Sequence, residues 1–279
     1  MASANVTTLI KNGDDDARRS FLPLIIQGRP SGLAALPALV RGFDLSSIGA
    51  VAAAEPRRAA VKVGRALAAM ARSVARAGQI RPHATGGIGY VWPDRTIRVT
   101  GAVPARVLAD IEAHRSVLDH NLVQIGAPVA WRTGDTGAGA KVAVLDGTFV
   151  AALIAGTGRA AGGERRGVAF GARLVIGKVL DDQGFGQESW AIAGVQWAAA
   201  HARIVSMSFS SGPSNGYDPL SHAINQLTTT RHVLFVAAAG NFGPNDETVG
   251  SRQRLKPRWP SAPSTAGIGS RSSQAAARS

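Results

Sequence analysis

Four short apolar segments alternate with helical patterns between residues 141 and 238, and this alternation constrains the fold more than any other feature. Each strand candidate is short, rich in β-branched residues and bounded by Gly or a charge, which is typical of strands buried on both faces. Strict strand-helix alternation predicts a parallel sheet with crossover helices. The predicted strands are 141–145, 173–180, 203–209 and 232–238, and the predicted helices are 149–155, 189–201 and 219–227.

Residues 1–116 carry a different pattern. An apolar run at residues 21–26 predicts a strand, and an Ala- and Arg-rich stretch predicts an amphipathic helix at about residues 56–77. Two β-type runs around a Pro93-Asp94 turn predict a hairpin over residues 88–99, and a short helix is expected at residues 103–116. Together these elements predict a small α+β domain with a loosely ordered start.

Positive charge is concentrated at the two ends of the chain. Basic residues outnumber acidic ones by 16 to 8 in residues 1–116 and by 6 to 0 in residues 252–279, whereas residues 117–251 hold 9 basic and 10 acidic side chains. The last segment is rich in Pro, Ser, Ala and Arg without periodicity, which predicts a disordered tail. Nucleic-acid binders usually focus charge on one folded face beside aromatic or polar side chains. Only Trp259 accompanies the tail's basic run, so solvated basic ends are favoured and no specific nucleic-acid partner is expected.

Composition excludes several classes of site and segment. The chain has no Cys, so it has no disulfide framework, thiolate nucleophile or Cys-based metal site. No apolar run approaches the roughly 20 residues of a membrane-spanning helix. The first twenty residues include Asp14, Asp15 and Asp16 and lack an apolar core, so no secretory signal is expected. The compartment is therefore left undecided.

Asp146 ends the first predicted strand and precedes a Gly147-Thr148 turn and an apolar helix. In open α/β sheets, functional groups lie at the carboxyl ends of the strands. Asp146 is therefore a candidate functional residue. It is also expected to cap the helix that follows, over residues 148–150.

Several blocks between residues 117 and 251 resemble the subtilisin-like serine proteases (the subtilase family), in particular the long secreted actinobacterial members. The blocks follow family order at near family spacing, and they cover residues 123–128, 137–146, 167–172, 178–186, 204–209, 236–241 and 248–251. The resemblance implies an α/β fold, with a parallel doubly wound sheet of the subtilisin type in residues 117–251. This sheet is expected to be incomplete at its C-terminus and to follow a small α+β pro-region-like domain in residues 1–116.

The resemblance also implies roles for individual residues. Asp146 matches the Asp of the catalytic triad, and Asn241 matches the donor of the oxyanion hole. A groove for an extended peptide or protein substrate is implied at Ser208, Phe209, Ser210 and Gly212. The pro-region-like domain is expected to contact the peptidase-like domain within the same chain.

The other parts of the family's catalytic machinery are missing from this sequence. Such an enzyme requires a Ser nucleophile and a His that takes its proton. The block that carries the His in the family matches residues 147–151 here, where Phe149 occupies the His position and has no ring nitrogen to accept a proton. The family pattern is expected to end near Ser251, before a block that would carry the nucleophile. We therefore expect no measurable proteolysis.

Three functions remain open on the sequence alone. They are an inactive peptidase homologue, a non-catalytic protein that binds peptides or its own pro-region, and an electrostatic binder of anionic polymers. No cofactor is expected and a monomer is favoured. A calcium site is less favoured than solvated loop acids, and its candidate ligands are Asp181, Asp182, Asn245, Asp246 and Glu247.

Overall fold

The computed structural model of the chain describes residues 20–28, 36, 39–59, 61–62, 65–66, 87–99, 120–159, 162–163, 165–210 and 218–238. The strands are β1 (Phe21–Gly28), β2 (Val40–Leu45), β3 (Ala50–Pro56), β4 (Ile88–Pro93), β5 (Thr96–Val99), β6 (Lys141–Leu145), β7 (Arg173–Gly177), β8 (Phe185–Gln187), β9 (Ile204–Met207), β10 (Phe209–Ser210) and β11 (Leu234–Ala237). The helices are α1 (His120–Gln124), α2 (Ala127–Arg132), α3 (Thr148–Ala155), α4 (Glu188–His201) and α5 (Pro219–Arg231).

These strands form three sheets. The N-terminal sheet has the order β2-β3-β1-β4, the linking sheet has the order β10-β5-β8, and the parallel sheet has the order β11-β9-β6-β7. All pairs in the N-terminal and linking sheets are antiparallel, and all pairs in the parallel sheet are parallel. The predicted α/β fold with a parallel sheet and flanking helices is confirmed.

The centre of the parallel sheet is β6, which pairs with β7 on one side and with β9 on the other. Its residues 142–145 are all buried, as expected for a strand covered on both faces. The predicted bounds of β6 are confirmed. The other three strands are shorter than predicted, because regular pairing extends only over Arg173–Gly177, Ile204–Met207 and Leu234–Ala237.

Helices α4 and α5 cover one face of this sheet. α4 buries Ile192 and Val195, and α5 buries Leu220 and Ile224. The start of α5 is determined locally, because the carboxylate of Asp218 accepts a hydrogen bond from the backbone N–H of Ser221 at 2.8 Å and Pro occupies the first turn.

The N-terminal sheet contains a strand that sequence patterning missed. β3 pairs with β1 and β2, and its residues Val51 and Ala53 face one hydrophobic cluster while Ala50 and Ala52 face another. Ala carries little strand propensity of its own. Pairing on both edges and burial on both faces therefore override the local preference at this position.

The predicted hairpin over residues 88–99 is wrong. Both strands form, but β4 pairs with β1 in the N-terminal sheet, whereas β5 pairs with β8 and β10 in the linking sheet. Asp94 and Arg95 carry the chain from one sheet to the next. A turn signal between two β-type runs does not determine whether those runs pair with each other, and here each run has a partner elsewhere.

A single hydrophobic cluster continues from the N-terminal sheet into the helices of the parallel sheet. It joins Ile25 and Leu45 to buried residues of α4 and α5. The division of the chain at residue 116 stays a prediction.

Several elements predicted from the sequence lie partly or wholly in residues that the structure does not describe. Within the predicted helix at 56–77, the described residues form a short 3₁₀ turn at Arg57–Ala59 and helical pairs at 61–62 and 65–66. The rest of that helix, the predicted helix at 103–116 and the predicted tail at 252–279 lie outside the described residues. No helix among the described residues has the length and hydropathy needed to cross a membrane.

Candidate functional site

Asp146 occupies the turn between β6 and α3. Its backbone is left-handed, with φ of 47°, and the next residue, Gly147, has φ of 155°. The carboxylate is turned toward the segment after β7, where its Oδ2 accepts a hydrogen bond from the backbone N–H of Val179 at 2.5 Å. The N-cap of α3 is Gly147, which has no capping side chain. The expectation that Asp146 caps this helix is therefore wrong, because its carboxylate bonds to another segment.

The charge state of Asp146 reflects opposing effects. Burial raises the pKa of its carboxyl above the usual value, whereas the backbone N–H groups of Val179 and Leu180 and the charge of Lys178 act to lower it. No histidine is among the groups that perturb this carboxyl in the described part of the chain. Asp146 is thus held by backbone donors.

Phe149 lies in the first turn of α3, and its side chain is 56 % exposed. An exposed aromatic ring at this position supplies neither a proton acceptor nor a core contact. Asn241 and Gly212 lie outside the described residues, so the candidate oxyanion donor and one end of the predicted groove have no structural account.

The predicted groove residues lie beside an extended segment of the same chain. Phe209 and Ser210 form β10, and Ser208 connects it to β9. β5 lies between β10 and β8 and runs antiparallel to both. Ser210 is opposite Arg98 in this register, and Gly186 is opposite Ile97. Residues 96–98 of β5 are therefore paired with β8, and residues 98–99 are paired with β10.

Side chains of β5 alternate between the core and solvent, as the period of a strand requires. Ile97 is fully buried in the same hydrophobic cluster as Phe209, whereas Arg98 is exposed. β8 and β10 therefore pair with the backbone of β5 on its two edges, and the hydrophobic cluster encloses the side chain of Ile97.

The residues that precede β5 contact the first turn of α4. Asp94 accepts hydrogen bonds from the backbone N–H of Ser189 at 2.8 Å and from its hydroxyl at 2.6 Å. Arg95 donates from Nε and Nη2 to the two carboxylate oxygens of Glu188, at 3.0 and 3.1 Å. The backbone N–H of Glu188 donates to the carbonyl of Arg95 at 2.8 Å. Together they join the N-terminal segment to the start of α4.

Glu188 is completely buried. Burial is the largest effect on its carboxyl and raises the pKa to about 7. The guanidinium of Arg95 acts in the opposite direction, while the nearby carboxylates of Asp218 and Asp94 raise the pKa further. This buried acid therefore depends on Arg95 for neutralisation.

These contacts were not predicted from the sequence. Asp94 was recognised only as a turn residue, and Arg95, Ile97 and Glu188 were not candidate site residues. Arg95 and Glu188 are separated by 93 positions, and no local pattern relates side chains at that distance. The one available signal was Glu188 itself, an acid opening a largely apolar helix.

The candidate calcium ligands that the structure describes have other partners. Asp181 accepts hydrogen bonds from the backbone N–H groups of Gln183 and Phe185, and Asp182 forms an ion pair with Lys178. The described residues contain no group of three or more His, Cys, Asp or Glu placed to hold a metal ion. Asn245, Asp246 and Glu247 lie outside the described residues.

Comparisons with known proteins locate the chain among the subtilases. The model of the subtilase family, Peptidase_S8, matches residues 131–277 and so continues past Ser251, the predicted end of the family pattern. Subtilisin E of Bacillus subtilis is 30 % identical over 161 residues, which cover 46 % of this chain and 41 % of that protein. Pyrolysin of Pyrococcus furiosus is 42 % identical over 89 residues, which cover 31 % of this chain and 6 % of that protein. The chain thus spans less than half the length of these relatives.

A solved structure supports the same fold. The epidermin leader peptide processing serine protease EpiP of Staphylococcus aureus, an S393A mutant, is similar with a TM-score of 0.54 and 12 % identity. The similarity covers 80 % of this chain and 62 % of that one, and at this identity it bears on the fold alone. Because the family model matches more than half of the residues, the chain belongs to the subtilase family.

Proposed function

We propose that this chain is a subtilase that does not hydrolyse peptide bonds and that holds an extended peptide segment in the groove between β8 and β10. The observation that carries the proposal is the position of β5, which is paired on both edges by these two strands. In this arrangement the chain's own N-terminal segment is the resident peptide.

The absence of hydrolysis rests on the His position. A serine hydroxyl is a weak nucleophile until a neighbouring base takes its proton. Phe149 cannot accept a proton, and the candidate triad carboxylate of Asp146 is hydrogen-bonded to the backbone of Val179. Neither residue supplies the base that acyl transfer requires.

Peptide binding rests on the two ladders around β5. An extended segment that adds to exposed strands gains affinity from main-chain hydrogen bonds and selectivity from the pockets for alternate side chains. The backbone of β5 pairs with Gly186 and Ser210, and the side chain of Ile97 is enclosed. These two features support the proposed mode of recognition.

Two measurements on the full chain test the two halves of the proposal. Incubation with casein and with a serine-directed fluorophosphonate should give neither cleavage nor stoichiometric labelling, and cleavage that the fluorophosphonate blocks would contradict the inactive state. For the groove, hydrogen exchange should show protected amides in β8 that lose protection in an Ile97→Asp variant. A synthetic peptide with the sequence of residues 90–99 should restore that protection, and failure to restore it in a folded variant would contradict the peptide groove.

A further inference from the structure

The contact between Arg95 and Glu188 is a charge-pairing site at one end of the peptide groove. The guanidinium donates to both carboxylate oxygens of Glu188, which is the paired geometry that Arg forms and Lys does not. The side chain of Arg95 is only 17 % exposed and that of Glu188 is fully buried. This is an ion pair removed from solvent, in contrast to the solvated pairs that contribute little to stability.

The backbone holds the two side chains in this register. The N–H of Glu188 donates to the carbonyl of Arg95 at 2.8 Å, and Asp94 is bound by Ser189. Arg95 precedes the buried Ile97 by two positions. An extended segment bound in the β5 register therefore places one side chain at Glu188. It places a second side chain at the position of Ile97, in the part of the hydrophobic cluster that we call the aliphatic pocket.

Because Glu188 is buried, its carboxylate discriminates between bound segments that carry an Arg beside it and segments that do not. A buried carboxylate without a partner is strongly unfavourable, so a segment lacking Arg at this position leaves Glu188 uncompensated. Selectivity of this kind arises from the penalty on the wrong segment as much as from the attraction of the right one. A Lys at the position would neutralise the charge without reproducing the two parallel hydrogen bonds.

We infer that Glu188 is a specificity-determining residue of the groove and selects extended segments that carry Arg two positions before a buried aliphatic residue. This inference rests on the proposed peptide groove. The segment that satisfies it in this chain is Arg95-Thr96-Ile97, and the occupant of the groove is therefore the chain's own N-terminal segment.

The test uses the full chain with Ile97→Asp, which places a charge in the aliphatic pocket and displaces β5. Three labelled peptides of residues 90–99 are titrated by fluorescence anisotropy at about pH 8. One peptide has the native sequence, one carries Gln in place of Arg95, and one carries Lys in place of Arg95, which keeps the charge without the two parallel hydrogen bonds. The Arg95→Lys peptide should bind more weakly than the native peptide, and the Arg95→Gln peptide should bind at least about tenfold more weakly than the native peptide. A chain that also carries Glu188→Gln should lose this preference.

The outcomes separate the inference from the proposed function. Equal binding of all three peptides would overturn the role of Glu188 and leave the groove in place. Binding of none of them to a folded chain would overturn both. Equal binding of the native and Arg95→Lys peptides, with only the Arg95→Gln peptide weakened, would show a general charge effect and would also overturn the inference.

A second measurement covers the case in which the Ile97→Asp chain does not fold. Amide exchange of β5 is compared in the otherwise native chain and in Arg95→Gln, Glu188→Gln and the double variant, with Arg41→Gln, at an exposed arginine of β2, as the control. Each single variant should lose protection in β5, the double variant should lose less than the combined effect of the two, and the control should match the native chain. Independent effects of the two substitutions would overturn the inference.

Discussion

Asp146 has a left-handed backbone, a conformation that Asn and Asp tolerate better than other residues with a Cβ. Its carboxylate ties the end of β6 to the segment after β7. Asp146→Ala leaves the N–H of Val179 without this acceptor and should lower the free energy of unfolding by about 1–3 kcal/mol, as measured by urea denaturation. Asp146→Asn keeps an oxygen acceptor and the backbone preference and is the matched control. Equal stability of the Ala and Asn variants would contradict a structural role for the carboxylate.

Glu188 makes the free energy of unfolding depend on pH in a predictable direction. Its pKa is raised to about 7 in the folded state, so the folded chain binds a proton more readily than the unfolded chain does. The stability that this proton contributes is complete below the unfolded value near 4.5 and is lost as the pH rises through about 7. The charged groups that face this carboxyl are Arg95, Asp94 and Asp218.

Glu188→Gln removes this titration while leaving the others in place. The stability of the native chain relative to the variant should therefore fall by a few kcal/mol between about pH 5 and pH 8. Urea unfolding of both proteins at three pH values across this range measures the difference. His222, whose pKa burial lowers, is common to both and cancels. A difference that stays constant with pH, or that grows toward high pH, would contradict the raised pKa.

At the scale of single elements, the start of α5 is set by one side chain. Asp218 is buried and accepts hydrogen bonds from both the backbone N–H and the hydroxyl of Ser221. Asp218→Ala should destabilise the chain by about 0.5–2 kcal/mol in urea denaturation. Asp218→Asn keeps the cap and removes a charge that raises the pKa of Glu188, so it should retain most of the stability. A larger loss for Asn than for Ala would contradict the capping role.

Sequence patterning predicted the strands and helices whose own residues carry a clear local pattern. β6 is apolar, β-branched and bounded by a charge at each end, and its bounds were predicted correctly. β3 was missed because its Ala-rich run has no such signal and becomes a strand only through β1 and β2. The hairpin failed for a related reason, since the pairing of β5 with β8 and β10 joins segments roughly 90 to 110 positions apart.

The same distinction applies to the candidate site. The family resemblance made Asp146, Phe149, Phe209 and Ser210 candidates, because family motifs are local in sequence. It did not identify Arg95 or Glu188, because their partnership exists only once β5 lies beside the first turn of α4. Contacts of this kind follow from the fold and have no local sequence signature.

At the scale of the whole molecule, one hydrophobic cluster joins one face of the N-terminal sheet to the helices that cover the parallel sheet. Neighbouring residues of β1 lie in two separate clusters, because Ile25 and Ile26 are both fully buried but face opposite sides of the strand. Ile25 belongs to the cluster that contains α4 and α5, and Ile26 to the smaller cluster within the N-terminal sheet. Replacing either isoleucine by alanine therefore removes the same atoms from two different hydrophobic clusters.

Ile25→Ala and Ile26→Ala should each lower the free energy of unfolding by about 2–5 kcal/mol, because each leaves a cavity in a close-packed region. The two variants should differ in which backbone amides exchange faster. Amide exchange in α4 and α5 should accelerate in Ile25→Ala well before it does in Ile26→Ala, because only Ile25 contacts the cluster that those helices share. If residues 1–116 formed an independent domain, exchange in α4 and α5 would be unchanged in both variants. Exchange that accelerates in Ile25→Ala alone would instead establish that the N-terminal segment and the parallel sheet are stabilised together.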